Sequence, residues 1–257
     1  MRCLLSNLFG YFANFTFFPC IQNIINKVYI SIFKIDMHEF DPPSHYQSLN
    51  ALFTRSLIHP RPFDKNPNIL IAPSDSTIIA KGTTYHNIAL QIKGKEYSVA
   101  KLLGEKLDTN LQYINFYLSP SDYHRFHAPT DMHILSVRYF SGNLLSVRPS
   151  ILQKYNVFTE NERVVIKALD SFNQELYFVA VGAMNVGKIL IYIEKCIHTN
   201  AKQGDAIYTY DKPIFIPKGQ EIGHFKMGSS IVLFTAANIN AELGKISFAS
   251  SIGFFQE

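Results

Sequence analysis

Hydrophobic and polar positions alternate in two different rhythms along this chain. After Pro19, the residues Ile21, Ile24, Ile25, Val28 and Ile32 recur at helical spacing, which predicts a helix beginning near the proline. Leu49, Leu52, Phe53 and Leu57 predict a further helix over about residues 43–57, stopped by Pro60-Arg-Pro62. Beyond Asn68 the rhythm changes. Short apolar or alternating runs at residues 69–72, 88–92, 114–118, 164–168, 176–181, 189–193 and 231–234 are separated by Gly, Pro, Asn and Asp. That pattern predicts strands with turns between them, and Ser98-Val-Ala-Lys-Leu-Leu103 reads as one short helix among them. The expected fold class is α+β. Residues 1–60 would form an N-terminal helical membrane-association region, and residues 61–257 a compact, mostly antiparallel, barrel-like β domain.

The N-terminal stretch carries no charged residue from Cys3 to Asn26, and Phe9, Tyr11, Phe12, Phe15, Phe17 and Phe18 crowd its middle. Asn7, Asn14, Asn23 and Asn26 interrupt it and Pro19 splits it, so no unbroken apolar run reaches the ~20 residues of a spanning helix. A single Arg2 and the lack of an A-x-A-like site before Lys27 fit a signal peptide poorly. Two readings stand: a helix packed on the protein's own core, or a pair of helices lying in the membrane interface with aromatic rings at headgroup level. The second is preferred, and it predicts that a variant lacking residues 1–35 loses sedimentation with lipid.

Composition narrows the picture. An apolar content of 47% supports a sizeable core. The net charge of +4 suits an anionic membrane surface better than nucleic acid, since no Lys/Arg stripe accompanies it. Cys3, Cys20 and Cys196 are odd in number and unpaired in spacing, which points to a reducing compartment.

Three separated segments hold the candidate chemistry: Ala72-Pro-Ser-Asp75, Tyr117-Leu-Ser-Pro-Ser-Asp-Tyr-His-Arg-Phe-His127 and Gly228-Ser229. Together they offer an acid, histidines and a hydroxyl, the parts of an activated nucleophile. Plainer readings exist for each. Asp75 suits a turn or cap, Arg55 and Arg61 suit solvated charges, and His124 and His127 suit loop histidines. A metal pair at His124 and His127 would need a third ligand, for which Cys196 and His198 are weak candidates.

The ordered motifs resemble the phosphatidylserine decarboxylase family, pyruvoyl-dependent enzymes of bacterial and mitochondrial membranes. Leu49-Asn-Ala-Leu-Phe-Thr-Arg55 with Arg61-Pro-Phe63 is similar to its early Phe/Arg motif, and Ala72-Pro-Ser-Asp75 to its Pro-x-Asp-Gly segment. The histidine segment at 117–127 is the most characteristic match. Asn161-Glu-Arg-Val-Val165 and Val181-Gly-Ala-Met-Asn-Val-Gly187 follow, and Lys218-Gly-Gln-Glu-Ile-Gly-His-Phe-Lys-Met-Gly-Ser-Ser230 resembles the processing site. Ser76 stands where the family has Gly, Met227 replaces Leu and Ser230 replaces Thr.

The resemblance implies self-cleavage between Gly228 and Ser229, with Ser229 becoming a covalent pyruvoyl group. His127 would be the base, oriented by Asp75, and His124 the acid that protonates the product carbanion. The ketone would form a Schiff base with phosphatidylserine and release CO2, giving phosphatidylethanolamine. Expected partners are phosphatidylserine and membrane lipid, the α and β chains as a heterodimer, and possible further copies of the same chain in a homo-oligomer. No metal is implied. The expected location is the cytoplasmic face of the inner membrane, held peripherally. Rival readings are a pyruvoyl decarboxylase of a soluble amino acid, a non-catalytic membrane-bound β module, and a Ser-His-Asp hydrolase, which lacks a G-x-S-x-G elbow.

Overall fold

The computed structural model describes residues 12–183, 188–194, 197, 204–226 and 229–256. Its frame is an eight-stranded antiparallel sheet. In spatial order the strands are β11 (Ala206–Ile216), β7 (Met132–Phe140), β8 (Arg163–Leu169), β9 (Glu175–Val181), β13 (Ser229–Thr235), β5 (Gln112–Leu118), β2 (Ser76–Thr83) and β15 (Gly244–Ile246). The α+β, mostly antiparallel class is as expected. The barrel-like form is not: among the described residues no pairing joins β11 to β15, and the sheet runs as an open ladder.

Successive strand residues face opposite sides, and both sides of this sheet are covered. On one face Ile231 and Leu233 of β13 join Ile114, Phe116, Ile166 and Phe178 in the larger core. Two three-stranded sheets close that side. One is β10 (Ile189–Ile191), β12 (Glu221–Phe225) and β6 (Arg125–His127); the other is β1 (Ile69–Ile71), β16 (Ser251–Phe254) and β14 (Asn238–Ile239). On the opposite face Val232 and Phe234 meet Val165, Tyr177 and Val179. There the cover is the hairpin β3 (Ile88–Ile92) and β4 (Lys95–Ser98) with three short helices, Val99–Leu103, Pro149–Leu152 and Val157–Glu160. Every residue of β13 is therefore buried, which is why this central antiparallel strand reads as an unbroken apolar run.

Helix α1 (Pro19–Phe33) opens with its proline at the first turn and stops at Lys34 in the left-handed conformation. Its packing departs from the reading of an apolar stripe turned to the protein's own core. Gln22 and Asn26 are the buried residues, whereas Ile21, Ile24, Val28 and Ile32 are exposed. Asn26 explains this packing: its amide donates to the carbonyls of Pro43 and Tyr46, both at 2.8 Å, and accepts from Gln22. The first helix of the expected interfacial pair falls mainly on residues outside those described. No helix among the described residues is long and apolar enough to cross a membrane.

The single helix expected over 43–57 is instead a 3-10 turn (Pro43–His45) and the short helix α2 (Leu49–Phe53). The Tyr46 carbonyl is taken by Asn26, and Ser48 caps α2 by accepting from the Ala51 N–H at 3.1 Å. A cap residue begins a helix rather than continuing one.

Replacing Asn26 by alanine would leave the Pro43 and Tyr46 carbonyls buried without donors. The expected cost is about 2–4 kcal/mol of unfolding free energy, measured as a lowered denaturation midpoint with an unchanged slope.

Candidate active site

Pairing brings all three candidate segments together: β2, which follows Asp75, pairs with β5 at Thr77 and Tyr117, and the His127 N–H donates to the Pro73 carbonyl at 2.9 Å. Ser229 heads β13 and pairs with Leu118, the last residue of β5. The chain then turns through residues 119–122, where Asp122 accepts from the N–H and hydroxyl of Ser119, and enters the segment carrying both histidines. By alternation Ser229 faces the same side as Ile231 and Leu233, the side covered by β6 and β12. Ser229 is fully buried, and among the described residues its Oγ has no partner. Gly228 and Met227 lie outside the described residues. Phe225 is a core residue.

His127 is held from both ring nitrogens. Nδ1 donates to the Gly219 carbonyl at 2.9 Å, so the Tyr123 hydroxyl donates to Nε2 at 3.0 Å. The ring stacks on Phe248 at 3.9 Å between centroids. Gly219 adopts a φ of +80°, and a Cβ there would meet the Phe63 ring at 2.4 Å. Glycine is thus required to present that carbonyl. Burial pushes the His127 pKa down, partly offset by the bond to Gly219.

His124 has different surroundings. Its Nδ1 donates to the Asp122 carbonyl at 2.8 Å, its ring packs on Phe53 at 3.9 Å, and its buried Nε2 has no partner. Burial pushes its pKa down to about 3, and the Arg55 charge adds to the fall. The imidazole is neutral at pH 7, and its Nε2 lone pair is bare among the described residues.

Asp75 is not hydrogen-bonded to His127. The Arg61 guanidinium grips its carboxylate at 2.5 and 3.0 Å, and the Phe248 N–H donates to it at 2.7 Å. Arg61 also binds Glu39. The place foreseen for Asp75 at Nδ1 is taken by the Gly219 carbonyl, and Asp75 reaches His127 only through Phe248. Ser76 needs no glycine: it begins β2 without a positive φ.

The solvated-charge reading of the two arginines is overturned. Arg55 is buried, with Nη2 donating to the Ser121 and Asp122 carbonyls at 2.7 and 3.2 Å. Arg61 is enclosed between its two carboxylates. Their fixed donors repay the desolvation. Sequence reasoning also missed Tyr123, Gly219, Phe53 and Phe248. Tyr123 lay in the quoted histidine segment, and Gly219 in the turn before the cleavage site, but Phe248 carried no local signal. For the metal reading, Cys196 and His198 lie outside the described residues. Among the described residues no group of three metal-ligating side chains converges.

A depressed histidine pKa means that the unfolded chain binds protons more readily than the folded one. The stability this confers is full above the unfolded value of ~6.5 and is lost as pH falls towards about 3 for His124 and about 4 for His224. For His124 the loss between pH 6.5 and 5 is on the order of 2 kcal/mol. Denaturant midpoints should fall over that interval, and His124→Gln should flatten the dependence.

The family model described as "Phosphatidylserine decarboxylase" matches residues 49–253. Phosphatidylserine decarboxylase proenzyme of Helicobacter pylori is 49% identical, covering 98% of this chain and 96% of the relative. That of Campylobacter jejuni is 41% identical over 96% of this chain and 97% of the relative. The Alkalilimnicola ehrlichii proenzyme is 34% identical over 90% of this chain and 83% of the relative. The match runs through Asp75, both histidines and Ser229 together: the chain belongs to the phosphatidylserine decarboxylase family.

Proposed function

We propose that this chain is a proenzyme that cuts itself at Gly228-Ser229 and then decarboxylates phosphatidylserine to phosphatidylethanolamine. The observation that carries the reading is the buried, unpartnered Ser229 hydroxyl, on the strand that pairs with the residue leading into the histidine segment. A buried hydroxyl without a partner costs stability. That cost suits a group that is consumed by reaction.

In self-cleavage the Ser229 Oγ attacks the Gly228 carbonyl carbon while Nε2 of His127 takes the hydroxyl proton. The C–N bond breaks as the ester C–O bond forms, and the proton passes to the freed nitrogen of Ser229. Loss of the Cα proton of residue 229 then expels the Gly228 carboxylate. Water converts the resulting dehydroalanine to a pyruvoyl ketone and ammonia. The chains 1–228 and 229–257 stay together as a heterodimer, the unit from which any homo-oligomer would form. Fixing the proton on Nδ1 through Gly219 is what leaves Nε2 basic. Tyr123 occupies that lone pair at rest, so its bond must be exchanged for the serine proton. Asp75 acts as a positioning residue, holding Phe248 against the imidazole.

The ketone supplies an electron sink for the pair left when CO2 departs. His124 serves the same turnover by moving a proton. Its bare Nε2 takes one from the substrate ammonium and returns it to the carbon that has lost CO2. Residues 1–60 act as the membrane-association region and 61–257 as the catalytic domain. The exposed Ile21, Ile24, Val28 and Ile32 suit a helix lying in the interface of the inner membrane, on its cytoplasmic face.

Intact mass with and without a carbonyl reagent tests the chemistry. Two chains divided at 228/229 are expected, the smaller one ketone-reactive. Ser229→Ala and His127→Ala should stay uncut, and normal cutting in His127→Ala would move the base elsewhere. His124→Ala should cut fully yet lose at least about 100-fold in decarboxylation. The membrane reading is checked separately, by vesicle sedimentation of the double variant Ile24→Asp, Ile32→Asp. Undiminished binding would exclude α1 as the anchor.

A further inference from the structure

A cavity of about 360 Å³ opens beside the histidine segment, walled by the 3-10 turn, α2 and the start of β6. Asp41, His45, Tyr46, Ala51, Arg55 and Arg125 line it. Among the described residues Nε of Arg55 is buried here without a partner, and the Tyr46 hydroxyl is buried beside the Asp41 backbone. Both residues are nearly fully buried, Arg55 at 2% and Tyr46 at 5% exposure. Burial and the Asp41 carboxylate push the Tyr46 pKa up, and the Arg55 and Arg125 charges offset part of that rise.

Donors outnumber acceptors here. Arg55 spends Nη1 and Nη2 on the carbonyls of Leu52, Ser121 and Asp122. Arg125 spends Nε on Thr54 and Arg55 and one Nη on Glu221. Asp41 is the one acidic residue in the lining, and His45 Nε2 lies 3.7 Å from its carboxylate. A buried Arg55 Nε without a partner among the described residues, in one lining with the Arg125 guanidinium, calls for a compact ligand rich in acceptor oxygens.

We infer that this cavity is a phosphate site and that it takes the phosphodiester of the lipid headgroup, a step that rests on the substrate reading above. The spacing fits. Arg55 Nη2 and His124 Nδ1 both donate to the one carbonyl of Asp122, at 3.2 and 2.8 Å. In a phosphoserine headgroup the reacting Cα lies three bonds from phosphorus, about 4 Å at ~1.5 Å per bond. A phosphate held beside Arg55 therefore leaves the reacting carbon within reach of His124. The far wall is held by α1, through the Asn26 bonds to Pro43 and Tyr46, and the outer face of that helix is apolar. Headgroup inside and acyl chains outside is the arrangement this order of surfaces permits.

Removing Arg55 would release the carbonyls that shape the histidine segment, so Tyr46→Phe, which deletes only a hydroxyl, is the better probe. Ala51→Glu sets a competing carboxylate in the lining. Calorimetry on the self-cleaved protein with glycerophosphoethanolamine gives a readout apart from turnover, and phosphatidylserine in mixed micelles gives KM and kcat. Tyr46→Phe should weaken glycerophosphoethanolamine binding about tenfold and raise KM by a similar factor, with a smaller change in kcat. Ala51→Glu should do both more strongly. Parent-like binding and KM in both variants would overturn the site. Inorganic phosphate binding as tightly as glycerophosphoethanolamine, with KM untouched by either variant, would overturn the headgroup assignment in favour of free phosphate. A parent that self-cleaves but does not turn over phosphatidylserine would refute the substrate reading. In that case a loss of glycerophosphoethanolamine binding in Tyr46→Phe would still uphold the phosphate site.

Discussion

Burial of both faces of the central sheet is the constraint on which everything else rests. With cores on either side, β13 cannot slip by one residue without exchanging its two apolar sets, Ile231 and Leu233 against Val232 and Phe234. That fixes its register with β5, and the register sets Ser229 opposite Leu118. The histidine segment leaves from the same end of β5. Ser229 and the start of the histidine segment are thus located by packing, without a dedicated scaffold.

Around that point the site is built from backbone carbonyls and buried arginines more than from a linear triad. The Gly219 and Asp122 carbonyls each fix a proton on Nδ1, leaving two neutral imidazoles whose Nε2 lone pairs sit in different settings. One Nε2 is covered by Tyr123 and the other is bare. This division suits two proton transfers that occur at different stages of one enzyme's life. Arg61 and Asp75 brace the plate on which His127 lies, and Arg55 braces the turn that leads to His124. Neither arginine is a spectator, because a buried guanidinium must be satisfied wherever it sits.

Polar anchoring inside and apolar exposure outside give α1 two unlike faces, and Asn26 ties the inner one to the wall of the Arg55 cavity.

Local pattern in the sequence determined the helix after Pro19, the short helix before Gly104 and the apolar strands, because periodicity reports burial directly. It also carried the family, through ordered motifs that include both histidines and Ser229. Less apolar strands such as β2, β7 and β11 were not legible, since pairing and not composition makes them strands. Tertiary structure alone decided the rest. It turned the apolar stripe of α1 outward, broke the helix over 43–57 in two, left the sheet open, and set Gly219 in place of Asp75 at the His127 ring. Each of these outcomes depends on which partner satisfies a buried polar group. The partners lie far apart in the chain, as Asn26 does from Tyr46 and His127 from Gly219, and only the folded core brings them within hydrogen-bond reach.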